Sequence, residues 1–139
     1  MRTQSLFLLL GALLLLTGCG RQRRFNEAER QFDAAADTQD IVLQEVFQSY
    51  SGATSERIGH LHNGYLHDGT FALIDSLDDE LQRLLGILRD NCSVRCIARY
   101  SDRFERYFQL SDRVTNAEIP FIYKRFPPPW TLSEPIRSR

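Results

Sequence analysis

The chain predicts an all-α protein, a small bundle of three to four helices behind an apolar leader and ahead of an extended Pro-rich tail. Three observations carry that prediction. From Phe25 to Tyr50, Phe71 to Leu88 and Ile97 to Leu110, apolar residues recur mostly every three or four positions, the period of a helix face. Glycine and small polar residues punctuate those stripes at Ser51–Ser55 and at Asp68-Gly69. Finally, Pro127-Pro128-Pro129 forbids helix and imposes a polyproline-like segment. The organisation that follows is a leader (1–18), a short tether (19–24), a helical domain (25–126) and the tail (127–139).

The leader comes first. Arg2 supplies a positive n-region, and the eleven residues Leu6–Leu16 are uncharged and Leu-rich, the length of a signal h-region. As a helix they would span roughly 16 Å, about half a bilayer core. That is too short for a permanent transmembrane helix. The small residues Thr17 and Gly18 then suit a peptidase cleft.

Leu16-Thr17-Gly18-Cys19 resembles the lipobox of bacterial lipoprotein precursors: leucine, two small residues, then cysteine. The resemblance covers about the first twenty residues. It implies thioether lipidation of Cys19, cleavage before it and acylation of the new amine. The resemblance also implies a bacterial membrane protein, with Gly20 rather than aspartate after the cysteine pointing to the outer membrane, facing the periplasm. Two or three acyl chains, at about 0.8 kcal/mol per buried CH₂, make a stable anchor where one chain would be marginal.

Of 139 residues, 18 belong to the leader, leaving 121, enough for one small domain. The formal charge of −1 becomes −2 once Arg2 is removed, so the mature chain lacks the basic excess of a nucleic-acid binder. Cys92 and Cys96 remain beside Cys19. In an oxidising periplasm the pair reads first as a disulfide, with two buried thiols or a redox pair as alternatives. Positions i and i+4 of one regular helix are too far apart for an unstrained bridge, so Cys92 is expected in a loop before the helix holding Cys96.

Along the domain, Phe25, Ala28, Phe32, Ala35, Ala36, Leu43, Val46, Phe47 and Tyr50 form the first stripe, whose early part suits a stalk rising from the membrane. The stripe weakens at Asp37–Asp40, a kink, a break or an exposed turn, with Asp40 a candidate N-cap for a second segment. Residues 56–69 read as one short helix or an irregular loop. Thr70–Asp90 is the clearest helix: Phe71, Ile74, Leu77, Leu81, Leu84, Leu85 and Leu88 share a face, and Asp68 or Thr70 suits the N-cap. After the Asn91-Cys92-Ser93 corner comes an aromatic stripe of Ile97, Tyr100, Phe104, Tyr107, Phe108 and Leu110, whose short connection makes it the antiparallel neighbour. The cysteine pair would staple that hairpin, at 70–111. Asp112–Asn116 reads as a break, and Glu118–Phe126 as a short last helix with Pro120 in its first turn.

Candidate chemistry is sparse. His60, His62 and His67 fall within eight residues, the residue type zinc or copper would use, with Asp68 a possible fourth ligand. On a helix His60 and His62 point about 200° apart, so only an irregular loop at 60–68 would let them converge. No nucleophile elbow and no phosphate-binding glycine loop is present, and Asp75, Asp78, Asp79 and Glu80 sit on an expected solvated face. No catalytic residue and no cofactor is therefore expected. Phe121, Tyr123, Phe126 and Trp130 either pack back over the bundle as a lid or meet a partner as aromatic anchors. The sequence therefore points to a non-catalytic envelope lipoprotein that binds or positions another protein, an assembly or accessory factor. Alternatives are a small-ligand or metal-binding lipoprotein using the 60–68 loop, and a phage-type lysis lipoprotein suggested by the tail.

Overall fold

A computed structural model describes the backbone of residues 2–125 and the side chains of residues 20–117. Four helices follow in order: α1 (Arg2–Tyr50), α2 (Ser55–His67), α3 (Thr70–Asp90) and α4 (Ile97–Arg125). A single 3-10 turn, Val94–Cys96, leads into α4. No strand occurs among the described residues. The expected helical bundle is what the chain forms.

The joints follow from local chemistry. Gly52 takes φ 70° just past the end of α1, a left-handed conformation that favours glycine. Thr54 caps α2 by accepting a hydrogen bond at Oγ1 from the Arg57 amide at 3.2 Å. At α3 the cap position falls on Gly69, with φ 87°, rather than on the expected Asp68 or Thr70. Asp68 nevertheless supplies the oxygen, since its Oδ1 accepts from the Thr70 amide at 2.9 Å.

Cross-helix hydrogen bonds set the topology. Arg21 Nη2 donates to the Asp90 carbonyl at 3.2 Å, and Gln39 Nε2 donates to the Ile74 carbonyl at 3.1 Å, so α1 and α3 run antiparallel. Glu29, Asp33, Asp37 and Asp40 of α1 meet Arg99, Arg103, Arg106 and Arg113 of α4 in the same order, so those two run parallel. The three long helices thus go up, down and up. Short α2 bridges α1 and α3 at the upper end and touches α4 as well.

Phe25, Phe32, Leu43 and Val46 of α1 pack with Ile74, Leu81, Leu84 and Leu88 of α3, all fully or almost fully buried; Leu110 and Ala117 add the α4 side. Each such side chain contributes about 1.5–3 kcal/mol on burial. Because Phe25 and Phe32 lie in this core, the start of the domain is an integral bundle helix and not a stalk.

Three further expectations are corrected. α1 passes through Asp37–Asp40 unbroken, because its acids face the α4 arginines and Gln39 is buried against α3. Asp40 is therefore mid-helix and caps nothing. The break at Asp112–Asn116 is likewise absent: α4 continues to Arg125, held at this point by the Arg113–Asp40 pair and by buried Leu110 and Ala117. For residues 56–69 the short helix, one of the two expected forms, is the one that occurs, as α2, despite Asn63-Gly64, whose glycine costs only about 1 kcal/mol inside a helix.

Candidate interaction surfaces

The α3–α4 corner matches its expected geometry. Cys92 follows α3 outside any helix and Cys96 closes the 3-10 turn. Their sulfurs lie at disulfide distance, with Cα atoms 5.4 Å apart. The ring is small, so its effect is to hold the shape of the corner.

Helix α4 carries apolar residues on two arcs. The inner arc, Tyr107, Leu110, Val114 and Ala117, packs on the core. Outside lie Ile97, Phe104 and Phe108, which are 56%, 47% and 66% exposed. The single aromatic stripe expected from Ile97, Tyr100, Phe104, Tyr107, Phe108 and Leu110 is thus split between two arcs. Positions 97, 104 and 108 centre roughly 120° from the inner arc at 3.6 residues per turn. Tyr100 and Phe104 have ring centroids 6.5 Å apart, and Phe104 and Phe108 6.2 Å, forming a row of three rings on the helix surface. Exposed Glu105 and Asp112 border one side. On the α3 side, Gln82 Nε2 donates to Tyr107 Oη at 2.9 Å and to Asp78 Oδ2 at 3.1 Å. Burial pushes the Asp78 carboxyl upward, against the hydrogen bonds from Gln82 and Tyr107.

The α1–α4 seam is ionic. Glu29, buried at 9% exposure, takes both Arg99 and Arg103, and Arg103 Nη2 also reaches Asp33 Oδ2 at 2.9 Å. The Asp33 hydrogen bond is the main reason that the Arg103 guanidinium holds its proton more tightly than usual. Further along, Arg106 meets Asp37 and Arg113 meets Asp40. These pairs were missed in the sequence, although the signal was there: acids at 29, 33, 37 and 40, and arginines at 99, 103, 106 and 113, each keep helical spacing. Arg106–Asp37 is largely exposed and Arg113–Asp40 half-buried, and each contributes at most about 1 kcal/mol. Their value is in choosing the register and direction of α4.

The three histidines do not converge. His62 is buried, its Nδ1 3.3 Å from Tyr50 Oη and its ring 4.5 Å from that of Phe71. His60 and His67 are exposed on other faces of α2. Among the described residues no group of three or more His, Cys, Asp or Glu could hold a metal ion. The loop geometry on which the metal reading depended is replaced by a helix. Around His62, Tyr65 stacks edge-on against Tyr50 and Phe71, and its hydroxyl donates to Ser49 Oγ at 2.6 Å. Burial and the neighbouring Tyr65 push the Tyr50 hydroxyl to about 12, and burial lowers the His62 pKa. This is a packed polar joint between α1, α2 and α3.

Elsewhere, a shallow groove of about 550 Å³ runs between α1 and α3 over Ala28, Leu84 and Ile87, rimmed by Arg23, Arg24 and Arg83. Cys19 falls within the span of α1, but its side chain is outside the described residues. The side chains of Phe121 and Tyr123, and Phe126 and Trp130 altogether, are also outside them. Among the described residues no helix is long and apolar enough to cross a membrane. No protein-family model, no curated protein and no solved structure matches the chain.

Proposed function

We propose that this chain is a bacterial envelope lipoprotein, tethered by acyl chains on Cys19, that has no catalytic role and binds or positions a partner protein. The lipobox supports the anchor, and with it the periplasm-facing, outer-membrane location. The observation that carries the binding role is the uncovered set Ile97, Phe104 and Phe108, with half-buried Tyr100 beside Phe104 joining it to the core. Leaving three large apolar side chains about half or more exposed on one helix arc costs solubility, and a matching surface recovers that cost. The acidic border of Glu105 and Asp112 calls for an apolar ridge flanked by Lys or Arg, such as a basic amphipathic helix of another envelope protein. Nothing in α2 favours the metal-binding alternative, and the tail that suggested a lysis role lies outside the described residues.

A photoreactive residue placed at Phe104 or Phe108 in living cells tests the row. A discrete adduct from these positions, absent from Ala98 and lost on Phe108→Asp at the neighbouring probe, is expected. No adduct from either row position overturns the binding role, and an adduct with the mass of two copies makes the partner this chain itself. Radiolabelled palmitate that fails to enter the protein, or enters equally after Cys19→Ser, overturns the anchor.

A further inference from the structure

We infer that the α3–α4 corner and the start of the bundle part of α1 together form a second membrane contact, seated on the anionic surface of a phospholipid bilayer. The inference rests on the proposed anchor at Cys19, and adds to it an orientation.

Residues far apart in sequence meet at this end. Arg21 reaches the Asp90 carbonyl at 3.2 Å, the Arg99 guanidinium lies 5.4 Å from the centre of the Phe25 ring, and Arg23 and Arg24 share a groove with Asn91. Arg21, Arg23, Arg24, Arg89 and Arg95 are all exposed here. The carboxylates among them are Asp90, paired with Arg89 at 3.2 Å, and Glu27, which lines the same groove and is paired with Arg30 at 2.5 Å. Among the described residues, the opposite end carries exposed Glu45, Glu56, Asp68 and Asp75 beside Arg57.

Val94 projects from the basic end. It is 88% exposed at the tip of the corner, directly before Arg95. An exposed valine alone means little. Here it stands on a turn whose flanking cysteines meet, next to Arg95 and at the end that carries Arg21, Arg23, Arg24 and Arg89. That arrangement lets an apolar tip enter the acyl boundary while the arginines meet phosphates. The occupant is a bilayer rather than an acidic protein because α1 arrives at this same end directly from Cys19. At 1.5 Å per residue, Cys19 and Arg21 are about 3 Å apart along the helix axis. Acyl chains on Cys19 would therefore hold the arginines within a Debye length of the lipid phosphates, where their attraction acts. With two contacts the bundle stands upright, and the acidic end and the upper part of the α4 row face away from the bilayer.

The test uses the full-length protein in phosphatidylethanolamine vesicles with and without phosphatidylglycerol, the acyl chains brominated near the headgroup. Tryptophan fluorescence is read for Val94→Trp and, as a control, Gln109→Trp, both with Trp130→Phe, after circular dichroism shows helix retained. Quenching at least twofold stronger for Val94→Trp than for Gln109→Trp in anionic vesicles, and reversed by Arg89→Glu with Arg95→Glu, is expected. Equal quenching at the two positions overturns the contact. Palmitate labelling of the same samples separates the two ideas. Acylated protein without selective quenching overturns the corner contact alone. For Cys19→Ser, selective quenching at low salt supports the corner independently of the anchor, and its absence there together with absence in the acylated protein overturns it.

Discussion

The two arcs of α4 use the same kinds of residue and meet opposite fates. On the inner arc, Leu110 and Ala117 are buried, with Arg99, Arg103, Arg106 and Arg113 alongside drawn into ion pairs by α1. On the outer arc, Ile97, Phe104 and Phe108 stay largely in water although they are at least as apolar. Hydrophobicity does not distinguish the arcs. Burial went to the side that offers α1 and α3 carboxylates and carbonyls as well as apolar surface. A three-helix core has room for only one face of each helix, and charge pairing chose which face of α4 it would be.

Substitutions can break this contrast. The largest effect is expected inside: Phe32→Ala, in the fully buried α1 core, should cost about 3–5 kcal/mol of unfolding free energy, read from urea midpoints. Glu29→Ala comes next. It leaves Arg99 and Arg103 facing the seam without their shared acceptor, and a loss of about 2 kcal/mol is expected, whereas exposed Asp37→Ala should cost under about 1 kcal/mol. If the two cost the same, the seam is not ordered as described. Reducing the cysteine pair, or Cys96→Ser, should remove about 2 kcal/mol or less, measured as a fall in Tm under reductant.

His62 adds a pH dependence with a definite sign. Its pKa is below the ordinary 6.5 because burial disfavours the imidazolium. The unfolded chain therefore binds the proton more readily, and the stability present above pH 6.5 should decline as pH falls through and below it. Urea midpoints at pH 7.5 and pH 5.5 measure this, and His62→Gln should flatten the difference. The smallest effect is on the outer arc. Phe104→Ala and Phe108→Ala should change stability by less than about 0.5 kcal/mol while abolishing the crosslink described above. A loss of several kcal/mol there would mean that the row is structural.

Much of the bundle was legible because it is local. α3 spans the Thr70–Asp90 expected from its stripe, Gly52 and Thr54 punctuate as their chemistry requires, and the cysteine corner has the predicted loop-then-helix form. Where the reading failed, it met non-local competition. Asp37–Asp40 and Asp112–Asn116 look like breaks because polar residues interrupt an apolar stripe, yet Asp40 and Arg113 satisfy each other across 73 residues. The outer row was misread for the same reason: aromatic residues at mixed spacings fit one broad stripe until a neighbour is chosen.

What the sequence determined by itself was helix content, the positions of most joints and the leader motif, all of which depend on residues within a few positions of each other. Only the tertiary structure decided that α4 lies parallel to α1, that Glu29 serves two arginines, that Val94 and the α1 arginines share one end, and that Phe104 and Phe108 remain outside. The physical reason is that an amphipathic stripe states how much surface a helix must bury. Which neighbour buries it, and on which side, is settled by the charges and hydrogen-bonding groups that the other helices bring.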